Sequence, residues 1–257
     1  MFVRNLAGVA LLLGLCQFLP AAASRAAAAS NAVTVSAQVV ASADSVVVAW
    51  RFDLAERWHL YAPYCNDSGF PPSVRLDLPA GWSAGPLRWP VPERLVLPGG
   101  ILDHVYHDEL VLVQSLHPPR AAAGRTAIPA TLSWLACRQT CVPGDTTLTL
   151  ILPPADGGAD AVLAAEAAIP GRLPPASARF VRGASTVRVR APGARGLTLI
   201  PAADGPALVD LAADGTVRGD ELVLRLRPGA GASAPLRGLL IIDHTNGARS
   251  SGSFVVP

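Results

Sequence analysis

Thr126-Ala-Ile-Pro-Ala-Thr-Leu-Ser-Trp-Leu-Ala-Cys137-Arg-Gln-Thr-Cys141-Val-Pro-Gly-Asp-Thr-Thr-Leu-Thr-Leu-Ile-Leu152 is the stretch on which the fold turns. Thr126–Ala136 and Thr146–Leu152 carry β-branched residues in rough alternation, the pattern of half-buried strands. Between them, two cysteines flank the loop Arg138-Gln139-Thr140. A hairpin at this point sets Cys137 across from Cys141. Facing Cα atoms of antiparallel strands lie ~4.5–5.5 Å apart, within disulfide range.

Similar short runs precede the hairpin: Ala32–Val40, Ser45–Phe52, Ser73–Leu78 and Leu110–Leu116. Turns such as Leu78-Pro-Ala-Gly81 and Leu97-Pro-Gly-Gly100 punctuate them. Strands at this spacing predict an all-β sandwich over residues 30–152. The 24 prolines argue against long helices, because an interior proline costs a helix ~3 kcal/mol. One short helix is expected at Asp160–Ala168, inside a connector spanning residues 153–177. The β pattern resumes at Ala178–Arg190, Gly196–Pro201, Ala207–Leu211, Glu221–Leu226, Leu236–Ile242 and Ser253–Val256. These predict a second, smaller β-sandwich-like domain over residues 178–257. That segment has no Cys or Trp and a single His, His244, so the chemistry is expected in the first domain.

The N-terminus sets the redox setting. Arg4, an apolar run from Leu6 to Leu19, and Pro20-Ala-Ala-Ala-Ser24 form a signal peptide, with cleavage after Ala23. Residues 1–23, Cys16 among them, are therefore expected to be removed. No other run approaches ~18 apolar residues, so the mature chain is expected to be soluble and periplasmic. In that oxidising space disulfides persist, and the mature chain keeps an odd set of cysteines: Cys65, Cys137 and Cys141. With 21 basic residues, all Arg, against 19 acidic ones, no charged tract points to nucleic acid.

Spacing alone leaves three readings of Cys137 and Cys141. As a staple the pair is weak: closing five residues is worth roughly 2 kcal/mol, against roughly 4.4 kcal/mol for a loop of ~75 residues closed by Cys65. Tight disulfides of this kind are more easily reduced, which suits exchange. A zinc site would need two further ligands from Cys65, His59, His104 and His107. His104 and His107 fall on opposite faces of a strand, and no second close Cys pair exists, so neither metal nor other cofactor is expected. No nucleophile elbow or phosphate loop is present.

Three stretches together resemble the N-terminal periplasmic domain of the DsbD family of thiol:disulfide interchange proteins, and more closely its variants similar to ScsB, the suppressor of copper sensitivity protein. They are Trp58-His-Leu-Tyr61 with Asp67-Ser-Gly-Phe-Pro-Pro72, Leu78-Pro-Ala-Gly-Trp82 through Leu87-Arg-Trp-Pro90, and Trp134-Leu-Ala-Cys137-Arg-Gln-Thr-Cys141-Val-Pro143. The resemblance implies that the first sandwich is immunoglobulin-like and serves as a protein-disulfide reductase component in electron transfer of the kind linked to cytochrome c biogenesis or copper tolerance. A membrane-embedded DsbD/CcdA-like donor would reduce the cysteine pair. Periplasmic thioredoxin-fold or other disulfide proteins would accept the electrons. Cys141 would form the mixed disulfide and Cys137 would resolve it, with Tyr61 and Cys65 in the surroundings of the site. Glu93–His104, with Gly99-Gly100, would be a cap loop over the cysteines, and Arg138 could modestly lower a thiol pKa.

The resemblance also implies membrane and thioredoxin-like domains, which residues 1–257 do not carry. Electrons are therefore expected from a separate protein. Cys65 remains open as a spare buried thiol, a third redox participant or a metal ligand. A binding module with an inert disulfide and a copper- or zinc-handling protein are the alternatives of other classes.

Overall fold

The computed structural model describes residues 32–41, 45–120, 124–154, 158–229 and 234–257. The expected signal peptide and Cys16 lie outside the described residues. The first part of the chain forms two antiparallel sheets face to face. One has the order β1 (Val33–Ala41), β2 (Val46–Leu54), β8 (Glu109–His117), β5 (Ser83–Ala84). The other runs β10 (Cys141–Leu152), β9 (Thr126–Cys137), β3 (His59–Tyr61), β7 (Ile101–His107), β6 (Glu93–Leu97), with β4 (Ser73–Leu76) also paired to β9.

Alternation along these strands sends one face inward. Trp50 and Phe52 of β2 and Leu110, Leu112 and Leu116 of β8 meet Leu60 of β3 and Ile128, Leu132 and Trp134 of β9 in one core. Phe52 meets the Trp134 ring edge-on at 5.9 Å between centroids, an arrangement that aromatic quadrupoles favour. This is the immunoglobulin-like sandwich expected.

β2 breaks the alternation, reading Val46-Val-Val-Ala-Trp50 with apolar residues on both faces. The reason lies in helix α1 (Ala159–Ala168), one residue longer than expected. Its Val162 and Ala165 pack on Ala49 and Val113, covering the outer face of the β1-β2-β8 sheet. Arg88 reaches the helix through a 2.7 Å ion pair with Glu166.

From residue 179 onward two further sheets enclose a second core. They are β11 (Arg179–Arg182), β12 (Thr186–Arg190), β15 (Glu221–Arg225), and β14 (Thr216–Arg218), β13 (Ala194–Pro201), β16 (Leu236–His244), β17 (Arg249–Val256). Val187, Val189, Leu197, Leu199, Leu224 and Leu240 fill the space between them.

Three local expectations are corrected. Ala178–Arg190 is not one strand but the hairpin β11–β12, turned where the Gly183 N–H donates to the Thr186 carbonyl. Ala207–Leu211 is not a strand: Leu208 makes only an isolated bridge to Leu226. Asp210 then caps helix α2 (Leu211–Asp214), its carboxylate accepting from the Ala213 N–H at 3.1 Å. β10 begins at Cys141, five residues before the expected Thr146. β10 continues through Val142-Pro-Gly-Asp145 because it is an edge strand, where proline is tolerated. Gly144 is required because a Cβ there would sit 2.6 Å from the Trp134 indole.

The two cores meet along a seam. Tyr64 bridges Ala202, the Cys65 N–H donates to the Pro201 carbonyl, and Arg94 donates to the carbonyls of Leu211 and Ala212 at 2.9 and 2.5 Å. Phe52→Ala should cost about 3–5 kcal/mol, because it empties the space between Trp134 and the opposite sheet. Urea unfolding followed by tryptophan fluorescence would measure the loss.

Candidate functional site

β9 and β10 pair without interruption from Thr126↔Leu152 to Cys137↔Cys141. The register places the two cysteines directly opposite each other, with Cα atoms 4.1 Å apart and a disulfide between them. Trp134 and Ala136 point into the core. Parity then puts Cys137 on the outer face of the sheet, where Tyr61, Val105, Leu95 and Leu135 pack around it. The two halves of the disulfide are unlike: Cys137 is 3% exposed, whereas Cys141 opens the edge strand and is exposed.

The Trp58–Tyr61 stretch splits its side chains between tasks. Leu60 is buried in the core. His59 pairs across to Cys137 on one side and His107 on the other. Tyr61, 2% exposed, brings its hydroxyl to 3.9 Å from the Cys141 Sγ. Trp58 lies under the Arg138 guanidinium, 5.3 Å from ring centroid to Cζ. Arg138 therefore rests on an indole beside the disulfide. Burial and the neighbouring His107 hold His59 below its ordinary imidazole range, with Asp103 opposing.

The loop from Ala62 to Gly69 holds Tyr61 in place. Asp103 on β7 is fully buried. It accepts the N–H groups of Asp67 and Ser68 at 3.0 and 3.1 Å and the Ser68 hydroxyl at 2.5 Å. Ser68 Oγ lies 3.2 Å from the Tyr61 hydroxyl. Asp67 returns the contact by accepting the Leu102 N–H at 2.7 Å. Gly69 lies against the Tyr61 ring so closely that a Cβ would fall 2.2 Å from it. The Asp67-Ser68-Gly69 run is thus a clamp for the tyrosine. Its anchor, Asp103, was missed in the sequence, although a lone carboxylate inside the apolar run Ile101–Tyr106 was a visible signal.

The remaining expected residues fall elsewhere. Cys65 faces the seam, its thiol donating to the Ala202 carbonyl at 3.5 Å; burial, then Asp67 and Asp204, push its pKa up. His104 is fully buried and turns Nδ1 to the Cys65 carbonyl at 2.7 Å, while burial, above all, lowers its pKa. His107 pairs with Glu93 at 3.3 Å. Among the described residues no group of three or more His, Cys, Asp or Glu side chains is placed to hold a metal ion.

Glu93–His104, expected as a cap loop over the cysteines, folds as most of the hairpin β6–β7. Gly99 and Gly100 form its turn, both at the positive φ that suits glycine. Its base reaches the disulfide through Leu95 and Val105, and Arg94 ties it to helix α2.

The model of the N-terminal domain of thiol:disulfide interchange protein DsbD matches residues 24–153, just over half of the chain. Among solved structures, the N-terminal periplasmic domain of ScsB from Proteus mirabilis is similar in fold. Its TM-score is 0.62 at 17% identity, over 88% of this chain and 94% of that one. The reduced N-terminal domain of DsbD from Neisseria meningitidis aligns at 22% identity over 50% of this chain and 89% of that one, with a TM-score of 0.33. Among curated proteins no sequence is similar enough to count as a relative. The likeness to the first structure extends past residue 153, so the fold of the second core is shared with it as well. Among the described residues no helix is long and apolar enough to cross a membrane.

Gly69→Ala should cost about 1–3 kcal/mol through the clash with the Tyr61 ring, whereas Phe70→Ala, at an exposed position, should stay within about 0.5 kcal/mol. Denaturant midpoints at unchanged slope would read both. Cys65 should react slowly with iodoacetamide at pH 8 in the folded protein and rapidly in urea. Its raised pKa keeps it protonated until the pH exceeds the ordinary thiol range, and peptide mass analysis would give the two rates.

Proposed function

The chain belongs to the family of DsbD N-terminal thiol:disulfide interchange domains, and from that premise we propose that it relays electrons in the periplasm through Cys137 and Cys141. The observation that carries this reading is the asymmetry of the pair: one cysteine buried among Tyr61, Val105, Leu95 and Leu135, its partner exposed at the start of an edge strand. A substrate sulfur can approach exposed Cys141, whereas Cys137 is only 3% exposed.

In the reduced protein the Cys141 thiolate attacks a substrate disulfide. A mixed disulfide forms and one substrate thiolate leaves. The Cys137 thiolate then attacks Cys141 Sγ across the hairpin, releasing the second substrate thiolate and closing the Cys137–Cys141 bond. Two electrons pass to the substrate, which takes up two protons as its thiolates are neutralised. A dithiol of a membrane-embedded donor restores the pair by the same exchange in reverse. The acceptors fitting this chemistry are disulfide-bearing periplasmic proteins, thioredoxin-fold proteins among them, in processes such as cytochrome c maturation or copper tolerance.

The register supports ready closure. The two Cα atoms are held opposite each other by the hairpin itself, so the resolving attack needs no large backbone movement. Arg138, beside Cys137 and over Trp58, adds a positive charge near the developing thiolates.

Cys137→Ala should trap a mixed disulfide at Cys141 when the reduced protein meets periplasmic extract. The bond should be released by dithiothreitol and located by peptide mass analysis. Cys141→Ala should trap far less, since Cys137 is buried. A pair potential well below about −300 mV would mark a structural staple and overturn the proposal.

A further inference from the structure

Tyr61, Ser68 and Asp103 form a hydrogen-bonded line that ends at the exposed sulfur, and donor counting gives it a direction. As a carboxylate, Asp103 can only accept. The Ser68 hydroxyl, 2.5 Å away, must spend its one hydrogen on it. Ser68 Oγ is then left with lone pairs towards Tyr61, so at 3.2 Å the tyrosine is the donor. The Tyr61 hydroxyl also has one hydrogen. Buried at 2% exposure, it has two recorded acceptors: Ser68 Oγ at 3.2 Å and Cys141 Sγ at 3.9 Å. The nearer oxygen wins while Asp103 keeps Ser68 turned.

We infer that Ser68, oriented by Asp103, is a positioning residue that withholds the Tyr61 hydrogen from Cys141 and thereby keeps the cysteine pair a reductant. A hydrogen bond donated to a thiolate stabilises the reduced form and lowers the thiol pKa. Oxidoreductases with strongly stabilised thiolates are oxidants. An electron donor needs the opposite balance. Tyr61 stands close enough to shift that balance, and the clamp built from Asp67, Ser68 and Gly69 holds its hydroxyl on the serine side.

This inference rests on the exchange reading of Cys141, but its readout needs no partner protein. The rate of iodoacetamide alkylation at Cys141 is measured against pH in the Cys137→Ala protein, with peptide mass analysis separating Cys141 from Cys65. The charged and titratable groups around Tyr61 and the disulfide are His59, His107, Glu93, Asp103 and Arg138. All but Asp103 are retained in every variant.

Ser68→Ala frees the Tyr61 hydrogen and should lower the apparent Cys141 pKa by about half a unit or more, on the order of a threefold gain in thiolate below it. Asp103→Asn, whose amide can donate to Ser68, should shift it the same way. Ser68→Thr keeps the hydroxyl and should restore the parent profile. Tyr61→Phe should raise the pKa, and adding Ser68→Ala to Tyr61→Phe should change nothing more. In protein with both cysteines, Ser68→Ala should make the pair potential less negative against glutathione. The inference is overturned if folded Ser68→Ala protein keeps the parent profile, or if Ser68→Ala moves it equally with Phe at position 61. Failure of the relay itself would appear separately, as loss of trapping by Cys137→Ala with the alkylation shifts intact.

Discussion

The pairing of β9 with β10 is the constraint on which the rest of the molecule depends. Its register runs unbroken from Thr126↔Leu152 to Cys137↔Cys141, so the residues that fill the core also decide where the sulfurs stand. Slipping β10 by one residue would turn Leu150 and Leu152 out of the core and move Cys141 to the opposite face. Burial of Ile128, Leu132, Trp134, Leu150 and Leu152 thereby enforces the geometry of the disulfide, though none of these side chains touches it. Fold stability and redox geometry rest on the same ladder.

Around that ladder the protein builds an asymmetric site. The inner cysteine is covered by an apolar patch of Tyr61, Val105, Leu95 and Leu135, while the outer one is left at an edge. A hydrogen-bonded polar line reaches the sulfur from buried Asp103 through Ser68 to Tyr61. A buried carboxylate is costly unless its acceptor sites are filled, and here three donors fill them. The clamp loop is therefore held to β7 by an interaction that cannot be broken without leaving Asp103 unsatisfied. That makes Tyr61 a rigid neighbour of Cys141.

The second core contributes position. Hairpin β6–β7 carries Leu95, Asp103 and Val105 to the site, and Arg94 on the same hairpin is fastened to the carbonyls of helix α2. Ile200, Leu239 and Ile241 close against Tyr64 and Val91, with Cys65 on the same seam. In that setting Cys65 is a protonated thiol holding a backbone carbonyl.

Much of this was legible in the chain, and the remainder was hidden for identifiable reasons. The runs at Val33–Ala41, Val46–Leu54, Glu109–His117 and Thr126–Cys137 showed themselves because one face of each is buried and the other meets solvent or a partner. Strand β3 is three residues long, too short for a period to register. Strand β6 is only five residues long between Pro92 and Pro98, and the start of β10 was hidden by Pro143-Gly144, which imitates a turn. By itself the sequence determined the sandwich, the cysteine hairpin and the family, because alternation, turn residues and a local motif are encoded within a few neighbouring positions. Only the tertiary structure decided that Asp103 and Ser68, 35 residues apart, would meet beneath Tyr61, that Cys65 would face the seam and that Cys137 would be the buried half of the pair. Those contacts depend on which strands lie side by side, and strand order is set by packing the whole core.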